Sequence, residues 1–283
     1  PYVSFKKMTV LRTNGGVSVS IQNRAHNIVF ENCRLGNFFT PNAGVDSVLT
    51  LRRNNLQGYY IDLRHTLGNT TSKVVVENNL LDNLYADYCQ NISITGNRNT
   101  IDPNSFLNQI LIYRSKNLSI QGNRFIRLYC ETDTIVDIRN NVGGPGYNDW
   151  DIYVNYCKSS IIRNNTIGAR RYGIASTNGE NTIIRQNIIT GTVGLENDGY
   201  GIYVENIAGD VAVDSNQISN YLRYGIFSRS VNNVNWVIRK NTINNIRDFG
   251  MGLNGVGGKY SENKITNVNA GIGVQVNVTN GLI

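Results

Sequence analysis

Apolar residues recur two apart along this chain, then the alternation breaks at a short polar turn and begins again. In Val74/Val76, Leu118/Ile120, Val211/Val213 and Trp236/Ile238 the apolar pair lies five and three residues before an asparagine. Two residues after that position comes another apolar side chain: Leu35, Leu81, Phe125, Ile167, Ile189, Ile218, Ile243 or Ile265. Period-two alternation interrupted by a turn reads as strand, turn, strand. No window offers three turns of 3.6-residue apolar spacing, so long helices are not expected.

The pattern repeats. Its anchor positions are Met8, Cys33, Asn54, Asn79, Asn97, Asn123, Asn141, Asn165, Asn187, Asn216, Asn241 and Asn263, a mean spacing of about 23 residues. That period lies in the range of stacked repeats, below that of helical pairs, and the leucine-rich signature is missing. The expected fold is all-β: a single-stranded parallel β-helix of about 11–12 coils of about 23 residues, forming one domain over residues 1–283.

Composition gives this pattern a mechanism. Asparagine accounts for 44 of 283 residues, with only 4 prolines. Asparagine is a poor helix former and tolerates left-handed backbone, so each anchor is expected in a tight turn, its amide directed inward. There it would bond the equivalent residue of the next coil and form inward asparagine ladders. A second column, Asn27, Asn91, Asn117, Asn181 and Asn235, lies six residues before the anchors. Sequons such as Asn69-Thr70-Thr71 are expected by chance in such a chain.

An apolar content of 40% rules out disorder, and no stretch approaches the apolar length of a membrane span, so no membrane insertion is expected. The net charge of +7 is scattered, without a basic run. That argues against nucleic acid and suits an acidic polysaccharide or a cell envelope. Cys89 and Cys157 share a column three coils apart, too far for a disulfide; with Cys33 and Cys130 they are expected reduced. Pro1 enters a strand almost at once and Gly281-Leu282-Ile283 shows no cap, so flanking parts are expected.

The segments Val75-Val76-Glu77-Asn78-Asn79-Leu80-Leu81, Ile162-Arg163-Asn164-Asn165-Thr166-Ile167 and Val237-Ile238-Arg239-Lys240-Asn241-Thr242-Ile243 look like parallel β-helix repeats. So do the strand openings Tyr172-Gly173-Ile174, Tyr200-Gly201-Ile202, Tyr224-Gly225-Ile226 and Phe249-Gly250-Met251. Together they resemble the right-handed, pectate-lyase-like β-helix superfamily over about residues 5–280. Its members include polysaccharide lyases, polygalacturonase-type hydrolases, alginate epimerases and phage tailspikes. The polygalacturonase motifs are absent, and Asp102-Pro103 continues to Asn104 where the epimerase core has histidine. Tailspikes are the members least contradicted. That resemblance implies a polysaccharide partner, a homotrimer, and an extracellular or virion-surface location.

Strand alternation assigns outward columns on one face. The middle column reads Asp62, Tyr85, Leu111, Tyr129, Tyr153, Ala175, Tyr203, Phe227 and Gly252. Its rings would stack on sugar units. The flanking columns read Arg64, Asp87, Tyr113, Glu131, Asn155, Thr177, Glu205, Arg229 and Tyr60, Asn83, Gln109, Arg127, Asp151, Gly173, Gly201, Gly225. Asp87 and Glu131 lie two coils apart, about 9.6 Å between backbones. This suits an inverting glycosidase, in which one acid protonates the leaving oxygen and the other activates water. Asp151 falls diagonal to Glu131. Surface pairing of these acids with Arg64, Arg127 and nearby lysines is the competing expectation.

A lyase would instead need a base and a cation for the uronate carboxylate. Tyr60, Asp62, Arg64 and His65 gather such groups; His26 is the only other histidine. The loop Gly143–Trp150 offers Trp150 as a sugar-stacking wall. No calcium-loop signature or cofactor motif is present, so neither metal nor cofactor is expected. The candidate catalytic residues are therefore Asp87, Glu131, Asp151, Asp62 and His65. Candidate substrate contacts are Tyr60, Arg64, Tyr85, Tyr113, Arg127, Tyr129, Trp150, Tyr153, Tyr203, Glu205, Phe227 and Arg229. The expected function is binding and cleavage of a surface polysaccharide, by hydrolysis or elimination. The alternative is a non-catalytic adhesin or spike that holds glycan without cutting it.

Overall fold

In a computed structural model of the chain, short strands pair with strands about one coil away in sequence, always in parallel. The structure describes residues 2–11, 17–22, 27–41, 45–46, 49–68, 73–100, 106–144, 150–169, 171–191, 199–229, 235–256, 258–270 and 272–279. His26, Asn69-Thr70-Thr71, Asp102-Pro103-Asn104, residues 145–149 and both extreme ends lie outside the described residues. The described residues are all-β, and the solenoid advances about 24 residues per turn.

The chain divides into two units, Pro1–Asp137 and Ile138–Ile283. In the first, Val3–Lys6, Ile28–Glu31, Leu49–Arg52, Val74–Glu77, Gln90–Thr95 and Lys116–Gln121 stack as one parallel sheet. A second sheet carries Asn55–Arg64, Leu80–Asp87, Leu107–Tyr113 and Arg124–Glu131. In the second unit, Ser159–Arg163, Asn181–Arg185, Val211–Asp214, Trp236–Arg239 and Lys259–Ser261 stack in the same manner. Opposite them run Trp150–Asn155, Tyr172–Thr177, Tyr200–Glu205, Tyr224–Arg229 and Phe249–Val256.

Alternation fills the core as expected: Leu84, Ala86, Ile110, Ile112, Leu128 and Cys130 are buried in the first unit, and Ile152, Val154, Ile202, Val204 and Ile226 in the second. All four cysteines are free and buried. Burial raises the Cys89 thiol to about 11, so it stays protonated at neutral pH.

The asparagine ladders are present in both units. In the first, the Asn54 amide donates to Asn79 Oδ1 at 3.0 Å, Asn79 to Asn97 at 3.1 Å, and Asn97 to Asn123 at 3.0 Å. In the second, the series runs from Asn141 through Asn165, Asn187, Asn216 and Asn241 to Asn263. The amides of Asn54, Asn79, Asn97, Asn123, Asn165, Asn187, Asn216, Asn241 and Asn263 also donate to a main-chain carbonyl, as Asn79 does to Leu51 at 2.8 Å. One expectation is corrected. The left-handed residue is not the anchor but the one before it: Asn78, Asn164, Gln186, Ser215 and Lys240 have φ of 52–57°. Asparagine suits the anchor because a carboxamide both donates and accepts along the stack. At the preceding position the turn accepts several residue types.

The Tyr-Gly-Ile openings have a packing cause. A Cβ on Gly201 would stand 2.3 Å from Ile218 Cγ2 and 2.6 Å from the Gly225 carbonyl oxygen, and Gly173, Gly225 and Gly250 face equivalent contacts. Gly201→Ala is expected to destabilise the chain by about 1–3 kcal/mol through overpacking against backbone. Urea unfolding followed by circular dichroism measures this; an unchanged midpoint would show that the coils separate freely there.

Candidate functional site

The first unit carries a groove built by strand register. Arg64 pairs with Asp87, Asp87 with Tyr113 and Tyr113 with Glu131, so these four form one column. Tyr60, Asn83, Gln109 and Arg127 form a second, and Asp62, Tyr85, Leu111 and Tyr129 a third between them. The columns expected from alternation therefore hold in this unit. Tyr60, Asp62, Arg64, Tyr85, Asp87, Tyr113 and Arg114 line a cavity of about 460 Å³.

Its walls are held by specific contacts. Tyr60 meets Tyr85 edge to face at 6.2 Å, and Tyr113 meets Tyr129 in the same way at 5.6 Å. Gln109 donates to the Tyr85 hydroxyl at 2.7 Å, which fixes that ring. Arg127 lies over the Tyr129 ring at 5.7 Å. Burial, and then the charge of Glu131, raise the Tyr113 phenol above its ordinary range.

Both groove aspartates are forked by arginine. Arg64 donates to Asp62 at 3.0 and 2.9 Å, and Arg114 donates to Asp87 at 2.9 and 2.6 Å. The competing expectation gave Asp87 to Arg64 or Arg127; its partner is instead Arg114, which alternation did not single out, and Arg64 takes Asp62. Arg114 sits in the turn after its strand with φ 48°, where a two-residue periodicity no longer assigns direction. Its guanidinium also lies over Tyr88 at 4.3 Å, and Tyr88 stacks on His65 at 5.0 Å. His65 is thus a left-handed turn residue, φ 50°, in a surface stack beside the groove.

Beneath this column lies a carboxyl group that sequence reading missed. The main-chain N–H of Cys89 donates to Ser115 Oγ at 3.0 Å, and that of Ser115 donates to Asp133 Oδ1 at 2.6 Å. Asp133 is 1% exposed, and among the described residues its buried Oδ2 has no hydrogen-bond partner. Burial, with Glu131 and Asp87 adding like charge, raises its pKa to about 7.

The second unit presents a different face. Tyr172, Tyr200, Tyr224 and Phe249 stack in sequence at 5.0, 5.5 and 4.9 Å. Beside them Tyr203 stacks on Phe227 at 5.5 Å. Tyr200 and Tyr224 are 7% and 6% exposed, so this inner stack is covered by its own neighbours. Trp150 packs on Tyr153 at 4.8 Å. Tyr203 donates to Glu205 at 2.6 Å, and Arg229 reaches the other oxygen of Glu205 at 3.2 Å. The inner aromatic column was legible in the sequence only as the Tyr-Gly-Ile repeat.

Asp151 is corrected. Alternation placed it outward; it is 2% exposed, adjacent in the chain to buried Ile152. The register sets it in the glycine column of Gly173 and Gly201, where the strand opens on a corner and two consecutive residues face inward. Burial drives its pKa well above the usual carboxylate range. It takes no place on the outer face.

Among the described residues, no three or more His, Cys, Asp or Glu side chains are grouped to hold a metal ion. No helix is long and apolar enough to cross a membrane among them.

No curated protein matches this chain. Among solved structures, it is similar to the A-module of mannuronan C-5 epimerase AlgE4 from Azotobacter vinelandii, with TM-score 0.50 and 10% identity, over 99% of this chain and 89% of that one. A periplasmic alginate epimerase, AlgG, aligns with TM-score 0.48 and 12% identity, over 92% of this chain and 70% of that one. At these identities the likeness is one of fold. The model of the right handed β-helix region matches residues 126–283, more than half of the sequence. Stacked parallel strands, inward asparagine ladders and this match together place the chain in the right-handed β-helix family.

Proposed function

We propose that the first unit binds an acidic polysaccharide in its groove and cleaves it at the column Asp87, Tyr113 and Glu131. The observation that carries the reading is the juxtaposition of Tyr60, Tyr85 and Tyr113 with the guanidinium groups of Arg64 and Arg114 in one cavity. Aromatic rings offer faces for the C–H surfaces of sugars, and an arginine fork matches a uronate carboxylate as well as it matches aspartate. Asp62 and Asp87 would then be stand-ins, holding each fork in position until substrate arrives.

For cleavage, Asp87 and Glu131 stand on coils two apart, about 9.6 Å between backbones. That backbone spacing is of the order with which inverting glycosidases admit a water. Tyr113 lies on the intervening coil and supplies a hydroxyl proton. A similar column would serve elimination, with an arginine neutralising the uronate. The second reading, glycan binding without cleavage, is favoured by one observation: both oxygens of Asp87 are already engaged by Arg114. A polysaccharide ligand implies work at a cell or virion surface, and a trimer would be visible in analytical ultracentrifugation.

The test is incubation with a panel of acidic capsular and plant polysaccharides. Binding is read by calorimetry and products by mass spectrometry. Arg114→Ala and Tyr85→Ala are expected to weaken binding at least tenfold. Glu131→Gln is expected to slow cleavage about 100-fold or more while leaving affinity intact, the usual scale of a lost general acid or base. An unsaturated product identifies elimination, and addition of water identifies hydrolysis. Full turnover by both Asp87→Asn and Glu131→Gln would remove the catalytic assignment. Bound but uncut glycan would establish the adhesin reading.

A further inference from the structure

One turn column of the first unit follows a rule. Each turn runs from a groove residue through a left-handed one, His65, Tyr88, Arg114 or Thr132 with φ of 48–59°, to a buried side chain: Thr66, Cys89, Ser115 or Asp133. That side chain donates back to the carbonyl two residues earlier. Thr66 Oγ1 donates to Arg64 at 3.4 Å, Cys89 Sγ to Asp87 at 3.4 Å, and Ser115 Oγ to Tyr113 at 2.8 Å. In the second unit, Cys157 Sγ donates to Asn155 at 3.5 Å in the same manner. The groove carbonyls also accept a main-chain N–H from the preceding coil: Asp87 from His65 at 2.9 Å, Tyr113 from Tyr88 at 3.1 Å, and Glu131 from Arg114 at 2.9 Å.

Asp133 keeps the geometry of this column but changes its chemistry. Its Oδ1 accepts the Ser115 N–H, as Ser115 Oγ accepts that of Cys89. Its carboxyl group lies against the Glu131 main chain, and its buried Oδ2 has no partner among the described residues. An ionised carboxylate only accepts, whereas a protonated one also donates, as hydroxyl and thiol groups do. A carboxyl group kept neutral by burial can serve as such a donor. Burial is the largest influence on Asp133, and it outweighs the Ser115 and Glu131 N–H groups, which favour the charged form. The carboxylates of Glu131 and Asp87 add like charge, and Arg114 is committed to Asp87. Lys116, after Ser115, is exposed, and half-buried Asp137 alternates with buried Val136 and Ile138 on the next strand.

We propose that Asp133 is a positioning residue that carries a proton on Oδ2 and donates it to the main-chain carbonyl of Glu131, fixing the turn beneath the groove. Loss of this proton to solvent leaves two acceptors facing each other and releases the strand end that bears Glu131. The column is set below neutral pH and loosened above it. The consequence for Glu131 chemistry rests on the groove reading above; the hydrogen bond itself does not.

The full chain, isotopically labelled at aspartate carboxyl and glutamate main-chain carbonyl carbons and assigned by backbone connectivity, tests this by nuclear magnetic resonance. At about pH 5, where a free aspartate is ionised, the Asp133 signal is expected at the position of the protonated acid. It should move to the carboxylate position with a midpoint of about 7, and the Glu131 carbonyl signal should move with the same midpoint. A carboxylate signal already at about pH 5, or a Glu131 carbonyl that does not follow Asp133, would overturn the proposal. Asp133→Asn and Asp133→Ser supply a donor at every pH, the second by copying Ser115, so the Glu131 carbonyl should no longer titrate in either. If one of them does not fold, the other is read. On a polysaccharide that the parent cleaves, the ratio of kcat at about pH 8 to kcat at about pH 6 should rise about threefold or more in these variants with KM unchanged, a split that a merely structural loss would not give. An unchanged ratio would overturn the positioning role. If no polysaccharide is cleaved, the groove reading fails, and the carbonyl titration still decides this one.

Discussion

Asn187→Ala is expected to destabilise the second unit by about 4–6 kcal/mol, the largest effect of a single substitution anticipated in this protein. The side chain is completely buried. Its amide donates to the Ile162 carbonyl at 3.0 Å, to the Arg185 carbonyl at 3.1 Å and to Asn216 Oδ1 at 3.0 Å. Its oxygen accepts from the Asn165 main-chain N–H and from the Asn165 amide, each at 2.9 Å. Alanine leaves the Ile162 carbonyl and the Asn165 main-chain N–H in the interior without these bonds, while the Arg185 carbonyl keeps the Asn164 N–H and the Asn165 amide keeps the Ile138 carbonyl. Each unsatisfied buried group costs about 1–3 kcal/mol, partly relieved by entry of water. A ladder also propagates the loss, because Asn165 and Asn216 both lose the neighbour that orients them. Chemical unfolding followed by the fluorescence of buried Trp236 measures the change. Asn187→Asp keeps the shape and the acceptor but loses the donors, so it should destabilise as well. A loss below about 1 kcal/mol for Asn187→Ala would mean that the ladder is not what holds the coils together.

The second large effect is set by pH. Asp133 has its pKa raised to about 7 in the folded chain, chiefly by burial. An unfolded aspartate titrates near 3.9. Between these values the native state holds the proton and the unfolded state does not. Stability contributed by this group is therefore full at acidic pH and declines as pH rises from about 4 to about 7. The slope is about 1.4 kcal/mol per pH unit, for a loss of about 4 kcal/mol by pH 8. Asp133→Asn keeps an oxygen to accept the Ser115 N–H, supplies a neutral side chain, and extends the carboxamide chemistry used by the main ladders. It is expected to stabilise the first unit by about 4 kcal/mol at pH 8 relative to the parent, and by little at pH 4. Urea midpoints of parent and variant between pH 4 and 8 give the difference directly. Parallel pH profiles would show that Asp133 titrates as an ordinary carboxylate.

The two cases differ in how far they could be read from the primary structure. Asn187 declares itself: inward Ile184 and Ile189 bracket it, and the same frame recurs around Asn165, Asn216 and Asn241. Asp133 does not, because it occupies a second turn column whose members, Cys89, Ser115 and Asp133, share no residue type. What they share is a place where a main-chain N–H from one coil meets a side chain of the next.

The same division runs through the candidate site. Asp62, Arg64, Tyr85, Asp87, Tyr113 and Glu131 fell into the right columns because they stand within regular strands, where direction alternates strictly. Asp151 was misplaced because it stands at a corner, where the bend of the backbone outweighs alternation. Arg114 was passed over for a related reason, since it lies in a turn and reaches Asp87 across 27 residues of sequence. The buried stack of Tyr172, Tyr200, Tyr224 and Phe249 was visible as a repeated tyrosine but not as a contact.

Coil length, strand positions, the ladder asparagines and the inward apolar set all follow from the order of residues alone, since each depends on local periodicity and on one carboxamide per turn. The direction of side chains at corners and the partner of each carboxylate do not. They depend on how each coil is bent and laid against the next, and residues some 25 positions apart meet only when that stacking is formed.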